Sequence, residues 1–146
     1  MRDLFTDSVR AGLANIDLHD LKEPEQNSLA PELTFNDSVK WMVLPDRLRI
    51  ECTRQFRFEP ECNFDLSITY FVEHFLKEKG ALDKFTGEDI KKNIIDDLSF
   101  YIQSNQDFAA RMSLLAAQII SNFGGSPAIT PPVFPVEQDN VKVSNN

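Results

Sequence analysis

Between Arg47 and Glu59 apolar and polar residues alternate, with Leu48, Ile50, Cys52, Phe56 and Phe58 set against Arg49, Glu51, Thr53, Gln55 and Arg57. Successive side chains of a strand point to opposite sides, so a period of two predicts a β-strand with one apolar face. Arg54 alone breaks the apolar parity. Glu59-Pro60-Glu61 reads as a turn, and alternation resumes over residues 63–76, with Phe64, Leu66, Ile68, Tyr70 and Val72 in step. The two strands are predicted to form an antiparallel hairpin. A turn centred near Glu61 sets Cys52 opposite Tyr70 and away from Cys62, which argues against a disulfide across the pair. Residues 33–43 alternate as well, through Leu33, Phe35, Val39, Trp41 and Val43, with a bulge or kink expected at Asn36-Asp37-Ser38. A shorter strand is predicted over residues 15–21, where Ile16 and Leu18 lie between Asp17 and His19; residues 24–31 then read as a loop.

The second half changes period. Thr86-Gly87-Glu88-Asp89 has capping-box spacing, and Ile90, Ile94, Ile95, Leu98, Tyr101 and Ile102 follow as one helical stripe. One helix running on to Phe123 would be about 54 Å long at 1.5 Å per residue, too long for a domain of this size. A break is therefore expected at Ser104-Asn105-Gln106-Asp107, a second capping box, followed by Phe108, Met112, Leu115, Ala116, Ile119 and Phe123 at helical spacing. Gly124, Gly125 and Pro127 end that helix. The expected fold class is thus α+β: a four-stranded antiparallel sheet followed by two C-terminal helices packed on one face. Residues 1–12 read as a mobile arm, 13–135 as a single domain and 136–146 as a polar, disordered tail.

A chain of 146 residues suits one hydrophobic core. Its formal charge of −8, from 23 acidic and 15 basic residues, excludes nucleic acid as an expected partner, because phosphate binding draws on clustered Lys and Arg. The N-terminus is interrupted by charge every few residues, and no run of 18 apolar residues occurs. The expectation is a cytoplasmic protein without membrane insertion. Cys52 and Cys62 lack metal-site spacing, and His19 and His74 sit in no catalytic motif, so neither a metal, a cofactor nor an enzyme activity is expected. Asp96 and Asp97 diverge by about 100° on a helix and read as a solvated face, not a carboxylate pair. Arg54 belongs either at a sheet rim or beside an acid in an interface.

Ala110-Arg111, the helix after it, and Gly124-Gly125-Ser126-Pro127 through Pro131-Pro132-Val133-Phe134 resemble the C-terminal half of the SecB-type protein-export chaperones. Four strands before two helices match that family's order. The resemblance implies a molecular chaperone, a holdase, that binds unfolded polypeptide clients and serves protein transport as a homo-oligomer, a dimer of dimers (tetramer). It also implies handover to a SecA-type translocase motor through acidic positions on the first and last strands. Asp17 and Asp20 match on the first strand. On the last strand Leu66 matches an apolar position, whereas Ile68 stands where the family carries an acid, so the motor contact is in question. A SecB-like chaperone dedicated to another client, such as an antitoxin, stays open, as does a small ligand-binding protein or enzyme on the same fold.

The strand over residues 63–76 is apolar on both faces near its end, since Phe71 and Phe75 oppose the parity of Tyr70 and Val72. One helical layer covers one face. The two rings therefore lie under a loop or a subunit contact, or they line a client groove with acidic rims that favour basic flanks on the client. A groove of large rigid rings holds many different apolar side chains. Phe71, Phe75, Trp41 and Tyr70 are the client-binding candidates, with Trp41 a secondary one, since a lone tryptophan on an alternating strand belongs more often to a core. Asp17, Asp20 and Leu66 are the partner-binding candidates.

Overall fold

The computed structural model describes residues 1–20, 32–59, 64–103, 108–122 and 141–143. Four long strands, β1 (Phe5–Asp20), β2 (Glu32–Leu44), β3 (Arg47–Glu59) and β4 (Phe64–Leu76), precede α1 (Gly87–Asp96), a π-helical turn (Ser99–Gln103) and α2 (Phe108–Ser121). A short strand, β5 (Val141–Val143), completes one sheet of order β1-β4-β3-β2-β5. The four long strands pair antiparallel throughout, and β5 joins β2 in parallel. The architecture is the expected α+β one, with β5 added where a frayed tail was expected.

The hairpin register is as the alternation predicts. Cys52 faces Tyr70, Ile50 faces Val72 and Phe56 faces Leu66. These side chains, with Val39 and Trp41 of β2, make the buried face on which Ile90, Ile94, Met112, Ala116 and Ile120 of the helices pack. Burying each large aliphatic or aromatic side chain contributes about 1.5–3 kcal/mol, so this face is what holds the fold together. Cys52 lies at its centre as a free thiol, and burial pushes its pKa up to about 12. Cys62 and the expected second capping box lie outside the described residues.

The first capping box is present: Thr86 Oγ1 accepts from the Asp89 amide at 3.2 Å, and Asp89 Oδ2 accepts from the Thr86 amide at 2.9 Å. Hydrogen bonding from Thr86 holds the Asp89 carboxyl below its usual pKa. Gly87 begins the helix against the Trp41 ring, where a Cβ would sit 3.7 Å from the indole, in ordinary contact. α1 ends at Asp96, short of the expected stripe, and the chain winds once as a π-helical turn. Tyr101 and Ile102 are nevertheless buried. The wider turn changes the period yet still delivers both side chains to the sheet.

The N-terminal expectation needs correction. Residues 1–12 are not a mobile arm: Arg2–Leu4 form a short 3-10 turn and the first strand starts at Phe5, ten residues before the predicted Asn15. Phe5 is buried against His74, Phe100 and Tyr101. Register shifts between Phe5 and Val9 and between Leu13 and Asn15 explain the error. Val9, Ala11 and Leu13 keep one parity and Ile16 and Leu18 the other, so no uninterrupted alternation marks the strand.

Candidate functional site

Among the described residues, the sheet has one face under the helices and one without them. Cross-strand rows on the helix-free face follow from the register. Towards one end they read Asn15-Thr69-Thr53-Ser38 and Asp17-Ser67-Gln55-Asn36, and beyond these the pairs His19-Asp65 and Arg57-Thr34 are joined by the Arg57–Asp65 ion pair. This half is polar and bonded within itself: Thr53 and Thr69 share a 2.8 Å hydrogen bond, Arg57 donates to Asp65 at 3.1 Å, and His19 lies 3.1 Å from Asp17. Towards the other end the rows read Arg10-Glu73-Arg49-Met42 and Gly12-Phe71-Glu51-Lys40, with Phe75 beside Arg47. Here Glu73 is buried, and Arg49 donates to its Oε1 at 2.9 Å. The Phe71 ring lies over Gly12 and carries the Arg49 guanidinium at 4.3 Å and that of Arg10 at 5.5 Å.

The candidate client residues do not form one groove. Phe71 and Phe75 sit on the helix-free face, whereas Trp41 and Tyr70 are buried on the opposite face beneath the helices, Tyr70 against Phe108. Around Phe71 and Phe75 the acids Glu51 and Glu73 are present, but they are paired with arginines that lie over the two rings. Among the partner-binding candidates, Asp17 is exposed on β1 and Asp20 ends that strand opposite Phe64, but Leu66 is fully buried in the helix-covered face and offers no contact surface. Arg54, left open between a rim and an interface, is inside the sheet. It donates from Nε and Nη2 to Asp37 at 2.7 and 2.8 Å, and both side chains are buried.

The apolar surface that the sequence reading missed belongs to β1. On the helix side of the sheet, Val9, Leu13, Ile16 and Leu18 face their partners His74, Tyr70, Ile68 and Leu66, all of which are buried. The four themselves are 42, 47, 41 and 42% exposed. α2 packs on β4, so the helical layer gives out about one strand spacing, ~4.8 Å, before the edge. β1 is also the last strand of the sheet among the described residues, so its outer N–H and C=O groups face outward. One strand thus combines a row of apolar side chains with an open backbone edge. Leu114 of α2, 64% exposed, is a further apolar side chain on the helical layer.

Comparison with known proteins separates fold from sequence. No protein-family model matches the chain, and no curated protein matches it. Among solved structures, a SecB-like chaperone of Mycobacterium tuberculosis, in complex with a ChAD peptide from an antitoxin, superposes with a TM-score of 0.52 at 11% identity, over 86% of each chain. This chain shares that chaperone's fold. A protein of unknown function from Streptococcus agalactiae aligns with a TM-score of 0.33 at 11% identity, over 85% of this chain and 98% of that one. The SecB-like sheet and helices expected from the sequence are therefore present, at an identity that speaks for the fold alone. Among the described residues no helix is long and apolar enough to cross a membrane.

Proposed function

We propose that this chain is a chaperone-like protein that holds unfolded polypeptide segments along the apolar face and open edge of β1. The row Val9, Leu13, Ile16 and Leu18 beside a backbone edge that no other described strand pairs with carries the reading. An extended client can add to such an edge as a strand, with main-chain hydrogen bonds that ignore sequence and apolar contacts that tolerate many side chains. Covering four half-exposed aliphatic side chains contributes on the order of 1 kcal/mol each, which corresponds to roughly millimolar binding by the strip alone. Useful affinity then comes from one long client engaging several copies. The solved SecB-like neighbour holds a peptide, which supports a polypeptide ligand over a small molecule. An antitoxin or an exported preprotein both fit as clients, and handover to a SecA-type motor would rest on Asp17 and Asp20.

The reading takes the chain as a cytoplasmic binding protein and not an enzyme. Its buried titratable groups are committed to structure: Cys52 is sealed in the core, Glu73 is held by arginines and His74 is stacked among rings. A second reading, a homo-oligomer in which another copy covers β1, is favoured by the same strip and edge. Suppression of aggregation of a chemically denatured model protein tests the first, using the chain and its Leu13→Ser/Ile16→Ser variant, with fold checked by circular dichroism and mass by light scattering. Client holding is expected to fall several-fold in the variant. An unchanged mass assigns the strip to clients, and a lower mass assigns it to self-assembly. A parent chain that suppresses nothing would sink the chaperone reading, and a monomeric parent the oligomer.

A further inference from the structure

On the helix-free face, Arg10, Arg47 and Arg49 converge on one carboxylate, that of Glu73, which is almost wholly buried. Arg49 is satisfied there, donating at 2.9 Å to Glu73 and at 2.9 Å to Glu51. The other two are not. Arg47 approaches Glu73 Oε1 only to 3.6 Å and half-exposed Asp46 to 3.8 Å, while Arg10 approaches Glu73 Oε2 to 3.7 Å. Neither guanidinium donates a hydrogen bond among the described residues; Arg47 Nε and Glu73 Oε2 are both buried without a hydrogen-bond partner. Both groups are nevertheless held in place. Arg10 lies over the Phe71 ring at 5.5 Å and Arg47 over the Phe75 ring at 5.9 Å, and Glu73 sits between them. Their side chains remain reachable, at 67% and 32% exposure.

We infer that this arginine-aromatic patch is a docking site for an acidic polypeptide segment, separate from the β1 strip on the other face. A guanidinium presents five N–H donors in a planar fork that matches a carboxylate two bonds at a time. Two such forks, oriented by rings and largely unused, are already organised for carboxylates, so little side-chain entropy is lost on binding. The partly exposed Phe75 ring beside Arg47 accepts an apolar neighbour of the acids, while buried Phe71 serves to seat Arg10. The chain's overall charge of −8 slows the approach of an acidic segment, so selection comes from the forks at contact range and not from long-range steering. A basic segment meets two guanidinium groups whose hydrogen-bond donors are unused among the described residues, and it is rejected.

The test is fluorescence anisotropy of the full chain with a labelled peptide of alternating Glu and Phe residues, and with versions carrying Gln or Lys in place of every Glu. The acidic peptide is expected to bind at least about tenfold more tightly than the Gln version, a ratio equivalent to about 1.4 kcal/mol, and the Lys version not to bind. Arg10→Gln is expected to remove most of that preference. Arg10 is exposed, so its loss leaves the fold intact, which circular dichroism checks; Arg47→Gln provides the second arm. Leu13→Ser/Ile16→Ser, on the opposite face, is expected to leave the preference unchanged. Equal binding of the three peptides, or an acidic preference that survives Arg10→Gln, would overturn the inference whatever becomes of the chaperone reading.

Discussion

Arg54 has no exposed surface and stands in an otherwise apolar row, where Asp37 across the strand pair answers it through two short hydrogen bonds and Phe35 covers the guanidinium at 4.9 Å. Taking two charges out of water costs several kcal/mol, and good geometry returns it, so the pair adds little net stability while its halves depend strongly on each other. Asp37→Ala is expected to destabilise the chain by about 3 kcal/mol, because it removes two short charge-assisted hydrogen bonds from a buried guanidinium, whereas Asp37→Leu/Arg54→Met should recover part of that loss. Urea unfolding of the three proteins checks this; a double variant no better than the single one would contradict it. The pair was half legible in the sequence. Arg54 breaks the parity of β3 visibly, but Asn36-Asp37-Ser38 reads as a kink, and the acid's place in the row Phe35-Asp37-Val39 is hidden by that reading. Two parity breaks at registered positions on neighbouring strands are the signal that would have paired them.

Among the elements, the junction of the β1 start, the β4 end and the π-helical turn is built from rings. His74 stacks on Phe100 at 5.0 Å and meets Phe5 and Tyr101 edge-on. The Tyr101 carbonyl can only accept, so His74 Nε2 carries the proton at 2.9 Å, and buried Nδ1 is left without a partner among the described residues. Burial holds the His74 pKa below its usual 6.5, against the opposing effect of its hydrogen bond to the Tyr101 carbonyl. The folded state thus prefers neutral His74. Its contribution is complete above pH 6.5 and is lost as pH falls below 6.5 towards the depressed value, because the unfolded chain takes up the proton first. Thermal unfolding between pH 7 and pH 5 should therefore show a falling midpoint that His74→Phe flattens; equal slopes for both proteins would refute this account. At this scale the sequence was most informative where periodicity ran unbroken, as in β3, β4 and the start of α1. It misled where a bulge shifted parity, as in β1, and where a π-helical turn kept Tyr101 and Ile102 facing inward after α1 had ended. Neither device leaves a residue-type signature, since both alter the count of residues per repeat and not their chemistry.

For the whole molecule, alternation and length specified one sheet with one helical layer, but they left open which surfaces remain uncovered. Phe71 and Phe75 were legible as exceptions to parity; that arginines cover them depends on strand order, which sets β1 and β3 on either side of β4. The two sides of that sheet also end differently. Among the described residues β1 presents sixteen residues as an outermost strand, whereas the β2 side carries β5 across its middle, at Val39–Trp41. A sheet open at both ends can add copies without limit, as ribbons and fibrils do. Here an incoming strand on the β2 side would first have to displace β5. Edge-to-edge addition through β1 is therefore self-limiting: two copies that pair there by a two-fold axis consume both open ends, and growth stops. Deleting residues 141–146 should reopen the second end, and light scattering should then show a broad distribution of larger species rising with concentration. A truncated chain with the same mass as the parent would mean that β5 is not what holds growth in check. On this view the three residues Val141-Lys142-Val143 act as a chain terminator, protecting the protein from polymerising through the edge chemistry that the proposed function would use.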